Sequence, residues 1–340
     1  MDSSDISPII REKAPLILAE IKKAKSILLH CHPSPDPDSV GSALAMKFAL
    51  EGMGKKTTVI KGDSDIPQAF MHFPGADQIV QKSFFEVDLK EFDLFIIQDS
   101  GSLGMISRIQ ALQAPLPIRT IIIDHHISND SFADVNLVDT SAPAVAFMLF
   151  QLFKEWGVKI NHDIALDLFI GMYTDSGGFK YSLTDYRVLQ AASDLARLAP
   201  DFPDAIFSME NSNTPESLYF EALALGSIQT FLDGNVAMAS VSFDEIKKKG
   251  IKLDAMKGDG IANKMKSVIG WNVGVLLVEI ESGKVKAGFR TRDNKRFDVS
   301  KLAVALGGGG HKSAAGAILN MPLPEAKALV VAKAKELYNL

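Results

Sequence analysis

The sequence predicts an α/β protein: a mostly parallel sheet with helices on both faces, followed by a smaller α/β domain with a mixed sheet. Three observations carry this. Apolar, β-branched strand patterns alternate with helical ones through the first half. Clusters of acidic and imidazole residues follow apolar segments repeatedly, as expected where strand ends line one edge of a parallel sheet. The second half, after the breaks at Ala199–Pro203 and Asn211–Pro215, changes to alternating strands.

Ile9–Ala24 has helical periodicity, and Ser26–His30 is a short apolar strand. A helix begins near Asp38 or Ser39 and runs to Glu51, with Gly52 and Gly54 as stop signals. Thr57–Ile60, Asp93–Ile97 and Arg119–Ile123 are strands; Ala144–Trp156, Asp163–Tyr173 and Asp185–Leu198 are helices. The predicted division is residues 1–198, a linker over 199–215, and residues 216–340. In the last segment Val236–Phe243, Asn272–Glu279 and Lys284–Phe289 alternate as strands, and Ile261–Val268, Asp298–Ala305 and Pro324–Tyr338 read as helices. There is no internal repeat and no low-complexity segment.

At 340 residues, 47% of them apolar, the chain can build two real cores. A net charge of −5 argues against coating long nucleic acid, but not against a short anionic substrate. Cys31 is the only cysteine, so no intrachain disulfide forms, and a reducing, cytoplasmic setting fits. Met1–Ile10 lacks the layout of a secretory leader, and no run of about 20 uncharged apolar residues predicts a membrane span.

The chemistry centres on Asp124-His125-His126, directly after the run Thr120–Ile123. His32, Asp36 and Asp38 follow the first strand, Asp99 follows another, and Asp175 ends the apolar stretch Phe169–Thr174. Pro33, Pro35 and Pro37 are expected to hold their loop extended, so that Asp36 and Asp38 point the same way. Each residue has a plainer explanation: Asp38 as a helix N-cap, Asp99 and Asp175 as turn acids. Taken together, six hard oxygen and imidazole donors suit Mn²⁺ or Mg²⁺, with Fe²⁺ or Co²⁺ as alternatives. Two such ions about 3.5–4 Å apart deprotonate a water and clamp phosphoryl oxygens, which suggests phosphoester or phosphoanhydride hydrolysis. His30 reads as a buried strand residue, His162 as a surface capping residue and Cys31 as a packing residue.

Gly307–Gly310, followed by His311-Lys312, is a second cluster. The spacing is not that of a P-loop. It reads either as a flexible loop or as backbone amides that approach a phosphate. Arg290, in Arg290-Thr291-Arg292, is a candidate guanidinium clamp, whereas Arg296 reads as an exposed turn charge.

These residues together resemble the DHH phosphoesterase superfamily over nearly the whole chain. The pattern runs from His32, Asp36 and Asp38 through Gly41-Ser42, Asp99, Asp124-His125-His126 and Asp175 to Gly308-Gly309-Gly310-His311 and Ala314-Ala315-Gly316. Within the superfamily the layout is similar to the nanoRNase branch, bifunctional oligoribonucleases that also dephosphorylate 3′-phosphoadenosine-5′-phosphate (pAp). The resemblance implies two Mn²⁺ ions: His32 and Asp36 on one, Asp38, His125 and Asp175 on the other, Asp99 bridging. It implies His126 near the scissile phosphate and Asp124 orienting the histidines. It also implies Arg290 and the Gly308, Gly309, Gly310 and His311 segment gripping substrate, with catalysis in an interdomain cleft. Expected substrates are short RNA or DNA oligonucleotides, linear dinucleotides and pAp, cut to 5′-mononucleotides or AMP; a homodimer is compatible with this branch. Pyrophosphate or polyphosphate hydrolysis, and a non-catalytic nucleotide sensor, stand as alternatives. One segment departs from the branch: Ser141–Phe147 has Pro143, Val145 and Phe147 where relatives carry hydroxyls and an acid. That leaves open how this chain supports its site locally.

Overall fold

The computed structural model describes residues 5–252, 256 and 259–340. It divides into two compact units, one ending at Ser212 and one running from Asn213 to Leu340.

The first unit runs α1 (Pro8–Lys23), β1 (Ser26–His30), α2 (Pro37–Gly52), β2 (Lys56–Ile60), β3 (Leu94–Gln98), β4 (Thr120–Asp124) and β5 (Val135–Val138). It continues with α3 (Val145–Trp156), α4 (His162–Asp175), α5 (Tyr186–Leu198) and α6 (Phe202–Glu210). The strands lie in the order β2-β1-β3-β4-β5, every pairing parallel. β1, β3 and β4 are near-continuous apolar runs because both of their faces are covered. On one face Ile27, Leu29, Ile96, Ile121 and Ile123 share a core with the α-helices. On the other, Leu28, Phe95, Ile97 and Ile122 meet Phe84, Ile106 and Leu116. That covering chain holds only short 3₁₀ turns. The long helices therefore gather on one side. The stretch between β2 and β4 carries Pro67, Pro74, Pro115 and Pro117, each removing a backbone donor before a helix can grow.

The parallel sheet sets the carboxyl ends of β1, β3 and β4 side by side. His32 lies two residues past β1, Asp99 directly past β3, and Asp124 ends β4. The break at Ala199–Pro203 proves to lead into α6, with Pro203 in the first turn, where its missing N–H costs nothing.

The second unit runs α7 (Pro215–Gly226), β6 (Gln229–Phe231), β7 (Val236–Val241), α8 (Phe243–Lys249), α9 (Asp259–Ser267), β8 (Val273–Glu281) and β9 (Lys284–Thr291). α10 (Val299–Ala305), β10 (Gly309–His311), β11 (Ala314–Leu319) and α11 (Leu323–Tyr338) complete it. Its sheet, β10-β11-β9-β8-β7-β6, is mixed: β7 and β8 are parallel and the other pairs antiparallel. One face forms a core with α10 and α11, the other with α7 and α9.

The glycine run is not a flexible loop: Gly309–His311 and Ala314–Leu319 form a hairpin. Gly308 and Gly310 answer to backbone crowding. A Cβ on Gly308 would lie 2.1 Å from the Gly316 carbonyl oxygen, and Gly310 adopts φ +140°. Among the described residues no helix is long and apolar enough to cross a membrane.

Candidate metal centre

The donors gather where the parallel strands end. After β1 the chain passes through His32 and turns into α2 at Pro37. Asp36 is the N-cap, its carboxylate accepting from the Ser39 amide at 2.9 Å. Asp38, read from sequence as a candidate cap, lies instead in the first turn of α2 and is buried. The expectation that the prolines hold this loop extended through Asp38 fails for that reason. An extended chain repeats every two residues, but Pro37 already begins a helix.

Asp38 reaches across to α3. Val145 donates its amide to Oδ2 at 2.7 Å and Ala146 donates to Oδ1 at 2.9 Å, while Ser42 Oγ donates to Oδ1 at 3.2 Å. The N-cap position of α3 is Ala144, which has no side-chain oxygen, so a residue of another helix caps α3. Gly171 on α4 makes the room: a Cβ there would lie 2.8 Å from Asp38 Oδ1.

Asp99 is buried at φ +51°, a left-handed conformation that aspartate tolerates better than most side chains. Its Oδ2 is 3.3 Å from His32 Nε2 and its Oδ1 is 3.6 Å from His125 Nε2. His125 places Nδ1 3.1 Å from the Ala142 carbonyl, and His32 places Nδ1 3.2 Å from the Pro33 carbonyl. Both carbonyls accept, so each ring keeps a proton on Nδ1 and turns Nε2 toward the carboxylates, the arrangement of metal-binding histidines. Asp175, the last residue of α4, brings Oδ2 to 3.3 Å from His125 Nε2. His126 Nδ1 lies 2.7 Å from Asp124 Oδ1 and 3.7 Å from Asp99 Oδ1.

Among the described residues three trios of donor atoms result, each within 4.8 Å: His32, Asp36 and Asp99; Asp38, His125 and Asp175; and Asp99, His125 and His126. The structure thus brings together the six donors expected to hold metal, and His126 with them. Residues 26–172 match the DHH family, N-terminal domain, and residues 233–339 match the DHHA1 domain. The chain carries a DHH domain followed by a DHHA1 domain.

The bifunctional oligoribonuclease and PAP phosphatase NrnA of Thermus thermophilus is 28% identical over 324 residues, covering 94% of this chain and 92% of that protein. The protein of the same name from Bacillus subtilis is 26% identical, covering 88% and 91%. Among solved structures, an exopolyphosphatase-related protein from Bacteroides fragilis superposes with a TM-score of 0.88 at 22% identity, over 96% of this chain and 97% of that one. It shares the fold.

The DHH site suits cations on its own chemistry. Burial pushes Asp38 well above the usual carboxylate range, and the charges of Asp99 and Asp175 push it further. Burial likewise lifts Asp175 to about 7. For Asp99, burial opposes ionisation, but hydrogen bonds from His125 and His32 outweigh it and hold the carboxyl well below its ordinary value. Burial pulls His32 and His125 down, yet their carboxylate partners prevail, raising them to about 11 and about 10. In the bare protein, protons on imidazoles offset the clustered negative charge. Divalent ions would do the same with more charge and without bound protons.

Several supports were invisible from sequence: the Ala142 carbonyl, the α3 amides and Gly171. The last had one signal, a glycine inside a helical pattern where it costs about 1 kcal/mol against alanine. His30 is buried, and burial, followed by the His32 charge, lowers it to about 4. His162 lies on the surface between Asp163 and Asp201. In the DHHA1 domain Arg290 donates from Nη1 to the Phe289 carbonyl at 3.0 Å. Burial, then the Arg290 charge, pulls Lys266 down, so two cations sit near each other. The backbone of His311 belongs to β10, but its side chain lies outside the described residues.

Proposed function

We propose that this protein is a phosphoesterase that hydrolyses short oligonucleotides and linear dinucleotides to 5′-mononucleotides, and pAp to AMP and phosphate. The observation that carries the reading is the overlap of donor trios: Asp99 belongs to two of them and His125 to two. Overlap of that kind suits a pair of ions. His32 and Asp36 hold one, Asp38, His125 and Asp175 hold the other, and Asp99 serves both. Mn²⁺ is the preferred ion on the hard oxygen and imidazole donor set, with Mg²⁺, Co²⁺ or Fe²⁺ as substitutes. Such a pair supplies Lewis acidity and an activated water for in-line attack at phosphorus. The names of relatives that span this chain nearly end to end support the substrate class.

The chain's own residues supply position and charge. Asp124 holds the His126 ring by Nδ1, and His126 faces the scissile phosphate. Arg290 and the Gly308-Gly309-Gly310-His311 segment bind a second phosphate or the sugar-phosphate backbone.

The deciding experiment incubates the full chain with Mn²⁺ and, separately, pApA, pAp and pyrophosphate, with and without chelator. Metal-dependent release of AMP from the first two supports the reading; cleavage of pyrophosphate alone points to the phosphoanhydride alternative. Asp99→Asn is expected to abolish turnover. A D99N protein that retains most of its Mn²⁺-dependent activity would end the shared-ligand assignment.

A further inference from the structure

Beside the metal ligands, Asp124 is fully buried and each of its oxygens meets one donor. His126 Nδ1 takes Oδ1 at 2.7 Å, and Asn129 Nδ2 takes Oδ2 at 2.5 Å. Asn129 is itself fixed on three sides. Its amide donates to the His126 carbonyl at 3.2 Å, and its Oδ1 accepts from the Ser131 amide at 2.7 Å. The next residue, Asp130, donates its amide to the Gly101 carbonyl at 2.9 Å, so the turn is tied to the loop that follows Asp99. Gly101 permits that approach: a Cβ there would lie 3.2 Å from Asp124 Oδ2 and 3.4 Å from Asn129 Cα.

We infer that Asn129 is a positioning residue that acts on turnover through Asp124 and His126. The side chain needs both ends of an amide. Its oxygen closes the turn, and its N–H₂ group gives Asp124 a donor without adding charge. An aspartate there would set carboxylate against carboxylate, and an alanine would leave a buried oxygen with no partner. With Oδ2 held by Asn129, Oδ1 is left aimed at Nδ1, and the His126 ring has one orientation relative to Asp99. The inference deepens the proposed function and rests on its placement of His126.

The test uses the full chain with Mn²⁺ and pApA. Asn129→Ala is expected to lower kcat by about 10- to 100-fold, the range typical for groups that orient a site residue. KM and the Mn²⁺ concentration for half-activation are expected to stay within about twofold. In ¹⁵N-histidine spectra of the Mg²⁺-loaded chain, the His126 Nδ1–H resonance should move in N129A while that of His125 holds. Asn129→Ser keeps a shorter donor and covers the case in which N129A does not fold; its kcat should fall between the two. An unchanged kcat, a loss confined to KM or metal affinity, or an unmoved His126 resonance overturns the inference. His126→Ala is measured alongside. If H126A turns over normally, the placement of His126 fails. If H126A is inactive while N129A turns over normally, only the role of Asn129 fails.

Discussion

Asp38 accepts the amide of Val145, 107 positions downstream, at 2.7 Å. The neighbouring amide of Ala146 binds the other oxygen of the same carboxylate. A proposed metal ligand is therefore also the cap of a helix whose own N-cap position holds Ala144.

Asp38→Ala should cost stability as well as activity. Losing an N-cap is worth about 0.5–2 kcal/mol. Chelated D38A should lose at least that much in urea unfolding, and Ala144→Ser in the same background should return part of it without returning turnover. Equal stability of chelated D38A and chelated wild type would show that the cap contributes nothing.

Gly171→Ala tests the clearance behind that carboxylate. The added methyl would sit 2.8 Å from Asp38 Oδ1 and 3.0 Å from Ala146 Cβ. Overpacking of this kind costs about 1–3 kcal/mol. A folded G171A protein should need more Mn²⁺ for half-activation, because the methyl displaces the carboxylate from its place. An unchanged metal titration would mean that α4 shifts as a body and Asp38 stays put.

Metal binding should release protons. His32 and His125 hold theirs to about 11 and about 10 in the bare protein, and a ligating imidazole must be deprotonated. Calorimetry at pH 7.5, in buffers of different ionisation enthalpy, should therefore count at least about two protons released on loading, with the buried carboxyl of Asp38 adding to the histidines' share. Apparent affinity should rise with pH through the neutral range. A count near zero would exclude both histidines as ligands.

The same shifts fix the sign of the pH dependence of the metal-free fold. Free histidine titrates near 6.5. The folded values are higher, so this contribution is whole below about pH 6.5 and is lost as pH rises toward 10 and 11. Asp175, raised to about 7, works in the same direction over the range below neutrality. Chelated protein should melt at progressively lower temperature from pH 6 to pH 10. A rising melting temperature over that range would contradict the charge arrangement described above.

Arg290→Ala should chiefly raise KM for pApA, leaving kcat nearly intact. An unaltered KM would remove Arg290 from substrate binding.

Much of this was legible in the linear chain. The apolar runs at Ser26–His30, Leu94–Gln98 and Thr120–Asp124 announced a parallel sheet, because strands buried on both faces have little choice of residue. The donors placed after them announced a shared edge, because parallel strands all end on the same side. Chemical type, which is a property of side chains alone, marked His32, Asp36, Asp38, Asp99, His125 and Asp175 before any coordinates. Short or glycine-rich elements escaped: β5 and β6 are too short to show a period, the β10–β11 hairpin is built largely on glycine and alanine, and α6 begins among prolines.

Only the tertiary structure decided how near those donors come to one another and what holds them. That Asp36 and Asp38 fall in separate trios follows from the helix beginning at Pro37, which rotates one away from the other. That α3 needs no capping side chain at its own N-cap follows from Asp38 reaching it across space. Backbone amides and carbonyls, such as those of Val145 and Ala142, are the same in every residue and leave no mark in a sequence. Their direction exists only once the chain has folded.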